Sequence, residues 1–190
     1  MKTLSIKVLA AQVATLLGEA LGIDSIEADS PFPDIESRVR LIAPGILSKL
    51  LLEAPVSQLP TSFPITGNLA IDPYGIARLD LPDNFLRLVS IKLSDWQRPL
   101  SEISSDPATL AMQASDINGI KGSPQRPVAI IDIDAFGTKQ LKLFSTSSGS
   151  RLEHAFYVPV PEVDAADSIS CPETMHHALV EGILKFFSQQ

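Results

Sequence analysis

At Pro55 the spacing of apolar residues changes, and that change decides which folds the chain can adopt. Before it, apolar residues recur at helical spacing. After it the chain turns rich in Pro, Gly, Thr and β-branched residues, punctuated by Pro60, Pro64, Gly67, Pro73 and Gly75, and its apolar residues come in short runs. A helix buries a stripe that repeats about every 3.6 residues and a strand buries every second residue, so the two stretches require different elements. The sequence therefore predicts an α+β fold: N-terminal helices packed beside a small, mainly antiparallel sheet, with a C-terminal helix. A single domain is expected over residues 1–190, with a helical part at 1–55, a β-rich part at 56–165 holding one short helix, and the last helix at 170–188.

Residues 3–21 place Leu4, Ile6, Val8, Leu9, Ala11, Val13, Thr15, Leu16, Leu17 and Ala20 on a broad apolar stripe, and Gly22 stands where a helix cap belongs. An amphipathic helix is predicted there. Asp24, Ser25, Asp29, Ser30, Pro31 and Pro33 are turn formers, and Asp34 is placed to cap the next helix. From Ile35 onwards, Val39, Ile42, Ala43, Ile46, Leu47, Leu50 and Leu51 recur at helical spacing as far as Ala54-Pro55. Pro44-Gly45 lies inside this run, which predicts a kink or two consecutive short helices.

The cleanest strand pattern falls within residues 81–102. Val89, Ile91 and Leu93 alternate with Ser90, Lys92 and Ser94, so one face is expected to pack on the core. Pro82, Asp83 and Asn84 turn the chain before Phe85 and Leu86 enter that core, and Pro99 ends the run. Trp96, the single tryptophan, reads as a core anchor whose indole N–H finds a partner. Ahead of this strand, 66–71 and 75–81 are expected to pair across the Asp72-Pro73-Tyr74-Gly75 turn. Behind it, Asp106 caps a short helix opened by Pro107 and running to about Ser115, with Asn118-Gly119 and Gly122-Ser123-Pro124 closing it. The runs at 127–136 and 140–144 fit a hairpin around Gly137-Thr138, and 152–160 reads as a final strand whose Pro159 and Pro161 mark an edge or its end. Ser170-Cys171-Pro172-Glu173 has the spacing of a capping box, so the last helix is expected from 172 to about 187, with Met175, Ala178, Leu179, Ile183 and Phe186 on its apolar face.

Motifs exclude more chemistry than they suggest. Hydrophobic residues make up 45% and charged ones 19%, a balance that folds and is unlike that of a disordered chain. A net charge of −7 argues against a surface that grips phosphate backbones. The single cysteine, Cys171, leaves no internal disulfide and reads as a small buried hydrophobe. The N-terminal apolar residues are interrupted by Lys7, Gln12, Thr15 and Glu19, so neither a signal-peptide core nor a membrane span is expected. Asp132 and Asp134 share a strand face suited to a hard cation, but no third acidic ligand follows at loop spacing and a solvated face is expected. His176 and His177 point in different directions from one helix, and His154 is remote in sequence, so ordinary boundary histidines are expected. Ser147-Ser148-Gly149-Ser150 lacks the strand-to-helix elbow of a nucleophilic serine, and Gly119-Ile120-Lys121-Gly122 is too short for a phosphate loop. No catalytic, cofactor-binding or metal residue is assigned, and the chain is expected not to be an enzyme.

Taken in order, two N-terminal helices, the strand start with Leu81, Pro82, Phe85, Leu86, Val89, Ile91 and Leu93, the segment with Trp96, Arg98 and Pro99, then Arg126-Pro127-Val128 and the Cys171-Pro172 helix form one pattern. That pattern resembles tailed-bacteriophage head–tail adaptor proteins, the group of the podoviral tail tubular protein A type and the siphoviral connectors. In order, the elements cover most of the chain. The resemblance implies a structural protein of the virion neck, assembled in the host cytoplasm, with no active site and no cofactor. It further implies a homo-oligomeric ring, commonly a dodecamer, between the portal protein and tail or neck proteins. DNA would pass through such a ring without specific binding, and no membrane is involved. The helix at 172–187 and Ser188-Gln189-Gln190 become candidate contacts with the portal or a neighbouring subunit. Two alternatives stand beside this expectation: a tail-completion or terminator protein with the same ring logic, and a small bacterial ligand-binding or hydrolytic domain with a pocket lined by Asp132, Asp134 and a histidine.

Overall fold

The computed structural model describes residues 2–21, 35–60, 62–104, 106–115, 117, 120–133 and 137–189. In chain order the elements are β1 (Lys2–Ser5), α1 (Ile6–Leu21), α2 (Ile35–Glu53), β2 (Phe63–Pro64), β3 (Leu69–Ile71), β4 (Ala77–Asp80) and β5 (Phe85–Leu93). They continue with α3 (Pro107–Gln113), β6 (Ala129–Ile133), β7 (Lys139–Leu143), β8 (Leu152–Pro159), β9 (Ser168–Cys171) and α4 (His176–Ser188). The chain is α+β, with N-terminal helices, antiparallel sheets and a C-terminal helix, as the change of period at Pro55 predicts. The roles expected of the 24–33 turn, of Gly22, Asp34 and Asn118-Gly119, and of the Asp134 carboxylate lie outside the described residues. Contacts divide the chain into two compact units: Met1–Thr61 with Val160–Gln190, and Ser62–Pro159.

The first unit holds α1, α2, α4 and the antiparallel pair β1–β9, in which Leu4 lies opposite Ile169. The helix expected over 3–21 therefore starts later, at Ile6. Lys2-Thr3-Leu4-Ser5 pairs with β9 instead, and β9 satisfies backbone groups that a helical N-terminus would leave open. Within α1 the buried face is Ile6, Leu9, Ala10, Val13 and Leu17, whereas Val8, Ala11, Thr15 and Leu16 of the expected stripe are exposed. α2 runs unbroken through Pro44 and does not split in two. Pro44 has no N–H for the Arg40 carbonyl, but Val39, Ala43, Leu47 and Leu51 bury one continuous stripe across that gap. α4 begins at His176 after a 3-10 turn at Glu173–Met175, and no side chain caps either element. The expected capping box is thus not formed, because Ser170 belongs to β9. Leu179, Val180, Ile183 and Phe187 form the buried face of α4, and Phe186, expected in it, is exposed. Gly182 lets α4 approach α2: a Cβ there would lie 2.6 Å from Ile46 Cγ2.

The second unit contains two antiparallel sheets, ordered β2-β8-β5 and β3-β4-β7-β6. Ala77, Leu79, Leu141 and Leu143 from one and Leu88, Ile91, Leu93, Ala155 and Tyr157 from the other join a single core cluster with Trp96. Each fully buried leucine or isoleucine contributes about 1.5–3 kcal/mol. β5 does not keep strict alternation. Its pairing with β8 shifts register between Leu88 and Ser90, so Leu88 takes the core position expected of Val89, which is half-buried like Leu86. β8 is neither an edge strand nor the last one: it lies between β2 and β5, and β9 follows it.

The predicted hairpins form. In the β3–β4 turn Asp72 Oδ1 accepts the N–H groups of Tyr74 and Ile76, each at 3.0 Å, and Gly75 has φ +76°. The Ile76 N–H is the main cause holding the Asp72 carboxyl below its usual range, with Arg78, 3.2 Å away, adding to it. β6 and β7 pair around Gly137, at φ +86°. Trp96 is buried and its indole N–H donates to the Ser145 carbonyl at 3.2 Å. Beside it, Asp95 Oδ2 accepts from Ser150 Oγ at 2.5 Å and from the Ser147 N–H at 3.0 Å, which ties the 145–150 loop to the end of β5.

Candidate interaction surface

Among the described residues, Asp132, His154 and His177 each have a side-chain partner. Asp132 forms an ion pair with Lys142 across the β6–β7 ladder, and that hydrogen-bonded ammonium holds its carboxyl below the usual range. On the same sheet Gln140 donates to Asp80 at 2.7 Å. Asp132 thus lies on a solvated face, as expected from the sequence, and the pairing with Lys142 was not foreseen. His154 on β8 shares a 2.9 Å hydrogen bond with Ser90 Oγ and stacks on Phe156, with ring centroids 5.7 Å apart. Among the described residues no carboxylate is hydrogen-bonded to His154. His176 and His177 lie in the other unit, where His177 is 3.1 Å from Glu181. Among the described residues no three His, Cys, Asp or Glu groups come together as metal ligands.

Apolar surface is what the molecule offers instead. α3 forms because Asp106 accepts the Ala108 N–H at 3.0 Å and Pro107 occupies the first turn. Its far end is tied where Gln113 Oε1 accepts the Gly122 N–H at 2.8 Å. Yet α3 buries none of its residues. Leu110 and Met112 are 47% and 45% exposed, and Ile117 and Ile120 beyond them are exposed too. Residues 107–115 include no charged residue, so this segment exposes apolar side chains without the charges of an ordinary solvent face. The Asp106 cap and Pro107 revealed the helix but not its exposure, since an apolar turn of helix normally packs inward.

In the helical unit, Ser37, Arg40, Leu41 and Pro44 along one side of α2 meet Pro161, Glu162 and Val163 in an open groove of about 580 Å³. Leu41 is 82% exposed within it. The opposite wall is set by local turn chemistry. Asp164 Oδ1 accepts the N–H groups of Ala166 and Ser168, both at 2.9 Å, and Val163 bridges to Ile169 on β9. Arg40 reaches Asp167 at 2.8 Å, so its charge is compensated. A smaller groove of about 380 Å³ is lined by Gln12, Thr15 and Leu16 of α1 and His176, His177 and Val180 of α4. Of the expected contacts at the C-terminal end, Phe186 is exposed and Gln190 lies outside the described residues. No described helix is long and apolar enough to cross a membrane. No protein-family model matches the chain, and no curated protein matches its sequence.

Proposed function

We propose that this chain is a structural protein of a tailed-phage virion, an adaptor that assembles as a ring between the portal and the tail around the DNA channel. The observation that carries the reading is α3: an ordered, uncharged helix with no buried residue serves a protein whose partner is another protein surface. The resemblance centred on Leu81, Trp96 and Pro99 supplies the kind of assembly. A net charge of −7 suits a conduit through which DNA passes without adhering. The divalent-site alternative is disfavoured, because Asp132 is neutralised by Lys142 on an open sheet face. Sedimentation through a sucrose gradient with portal particles and with tail particles of the same virus tests the reading. Co-migration with the portal supports an adaptor; co-migration with tails alone supports a terminator; migration with neither under any buffer condition removes both.

A further inference from the structure

We infer that the end of the β unit where residues 94–98, 123–126 and 145–151 meet is a docking surface for an acidic protein segment, a short run of closely spaced carboxylates. This surface is independent of the ring reading above. Each of the three segments carries an exposed arginine: Arg98, Arg126 and Arg151. Backbone hydrogen bonds hold the segments together. The Gln97 N–H donates to the Pro124 carbonyl and the Ser94 N–H to the Arg151 carbonyl, both at 2.9 Å. Arg126 is fixed in its turn by reciprocal bonds with Ser123 of 2.9 and 3.1 Å. Elsewhere the arginines are engaged, Arg40 with Asp167, Arg78 with Asp72 and Arg38 over the Phe187 ring. Among the described residues, Arg98, Arg126 and Arg151 form no ion pair. Asp95, the carboxylate beside them, is taken instead by Ser150 Oγ and the Ser147 N–H. A chain of net charge −7 therefore keeps uncompensated positive charge at this one end. A guanidinium matches carboxylate and phosphate alike through its paired N–H donors. Charge magnitude decides between them. Duplex DNA carries about one negative charge per 1.7 Å of its axis, so it extends past the cluster and meets the repulsion of the whole acidic chain. A short acidic segment stays within roughly one Debye length of the cluster, about 8–10 Å, and escapes most of that repulsion.

Fluorescence anisotropy of labelled hexaglutamate, titrated with the full chain at low salt, tests the surface. The unsubstituted protein is expected to bind, and to release the peptide at about 0.5 M salt. The combined variant Arg98→Gln, Arg126→Gln, Arg151→Gln should bind at least about fivefold more weakly. Lys7→Gln, Lys49→Gln, Lys185→Gln removes the same charge from exposed positions of the helical unit and should bind as the unsubstituted protein does. Trp96 fluorescence reports whether the β unit of each variant is folded, and should the arginine variant unfold, each single arginine substitution must weaken binding on its own. No binding of hexaglutamate by the unsubstituted protein at millimolar concentration overturns the inference and leaves the ring reading intact. An equal loss in the lysine variant overturns it too, since net charge alone would then govern binding. A labelled short DNA duplex bound more tightly than hexaglutamate overturns the acidic segment as partner and assigns the surface to nucleic acid.

Discussion

Cys171 is fully buried, with its Sγ directed at the Pro172 carbonyl 3.3 Å away, and burial pushes its thiol up from about 9 to about 11. The thiolate is the reactive form, so the native protein should resist iodoacetamide at pH 8 and label only once unfolded in urea. Rapid labelling of the native protein would contradict that burial. Because the folded thiol keeps its proton to higher pH than the unfolded one, this residue's contribution to stability is complete below pH 9 and is lost as pH rises towards 11. Urea midpoints measured across that window should fall, and Cys171→Ala should flatten the slope. Gly75 is a second residue with a sharp requirement. Its φ of +76° disfavours any side chain by about 1–2 kcal/mol, and a Cβ would lie 2.8 Å from the Thr146 carbonyl oxygen. Gly75→Ala is expected to lower the unfolding free energy from urea melts by at least that amount; an unchanged value would mean that the β3–β4 turn relaxes freely. The Asp72-Pro73-Tyr74-Gly75 turn was legible because a single residue type answers each backbone demand. The core position of Leu88 was not, since the register shift after it depends on how β8 pairs.

Among the elements, two helical glycines with opposite surroundings offer a contrast. Gly45 in α2 has nothing within 4 Å of a built Cβ, whereas at Gly182 in α4 Ile46 Cγ2 stands 2.6 Å away. Gly45→Ala should therefore stabilise the protein by up to about 1 kcal/mol through helix propensity. Gly182→Val should destabilise it by about 1–3 kcal/mol, because a branched side chain forces α4 off α2. Thermal melts of the two variants should shift in opposite directions, and a matching shift would show that the α2–α4 approach is not tight. The short helix α3, both main hairpins and α2 follow from local signals, each formed within a stretch of sequence that carries its own caps, turns and period. The β1–β9 pair joins residues 2–5 to residues 168–171, and neither strand holds enough alternation to stand apart from the helix beside it. The exposure of α3 was equally hidden, because apolar content alone does not tell whether a core lies opposite.

For the whole molecule, the division into two units gives each its own reporter: Cys171 belongs to the helical unit and Trp96 to the β unit. Gly182→Val is expected to lower the urea midpoint of Cys171 labelling by more than it lowers the midpoint of Trp96 fluorescence. Equal shifts would mean that the units unfold as one. The fold class was readable from the change of period at Pro55, but that residues 1–61 and 160–190 gather into one unit was not, since chain ends meet through non-local packing. At this scale the proposed function is a ring seated on the portal. Negative-stain imaging of the protein mixed with the portal of the same virus tests this most directly. Side views should show an added layer of density stacked on the portal, with top views showing a closed ring around an open channel; portals that stay bare at saturating protein would contradict the account.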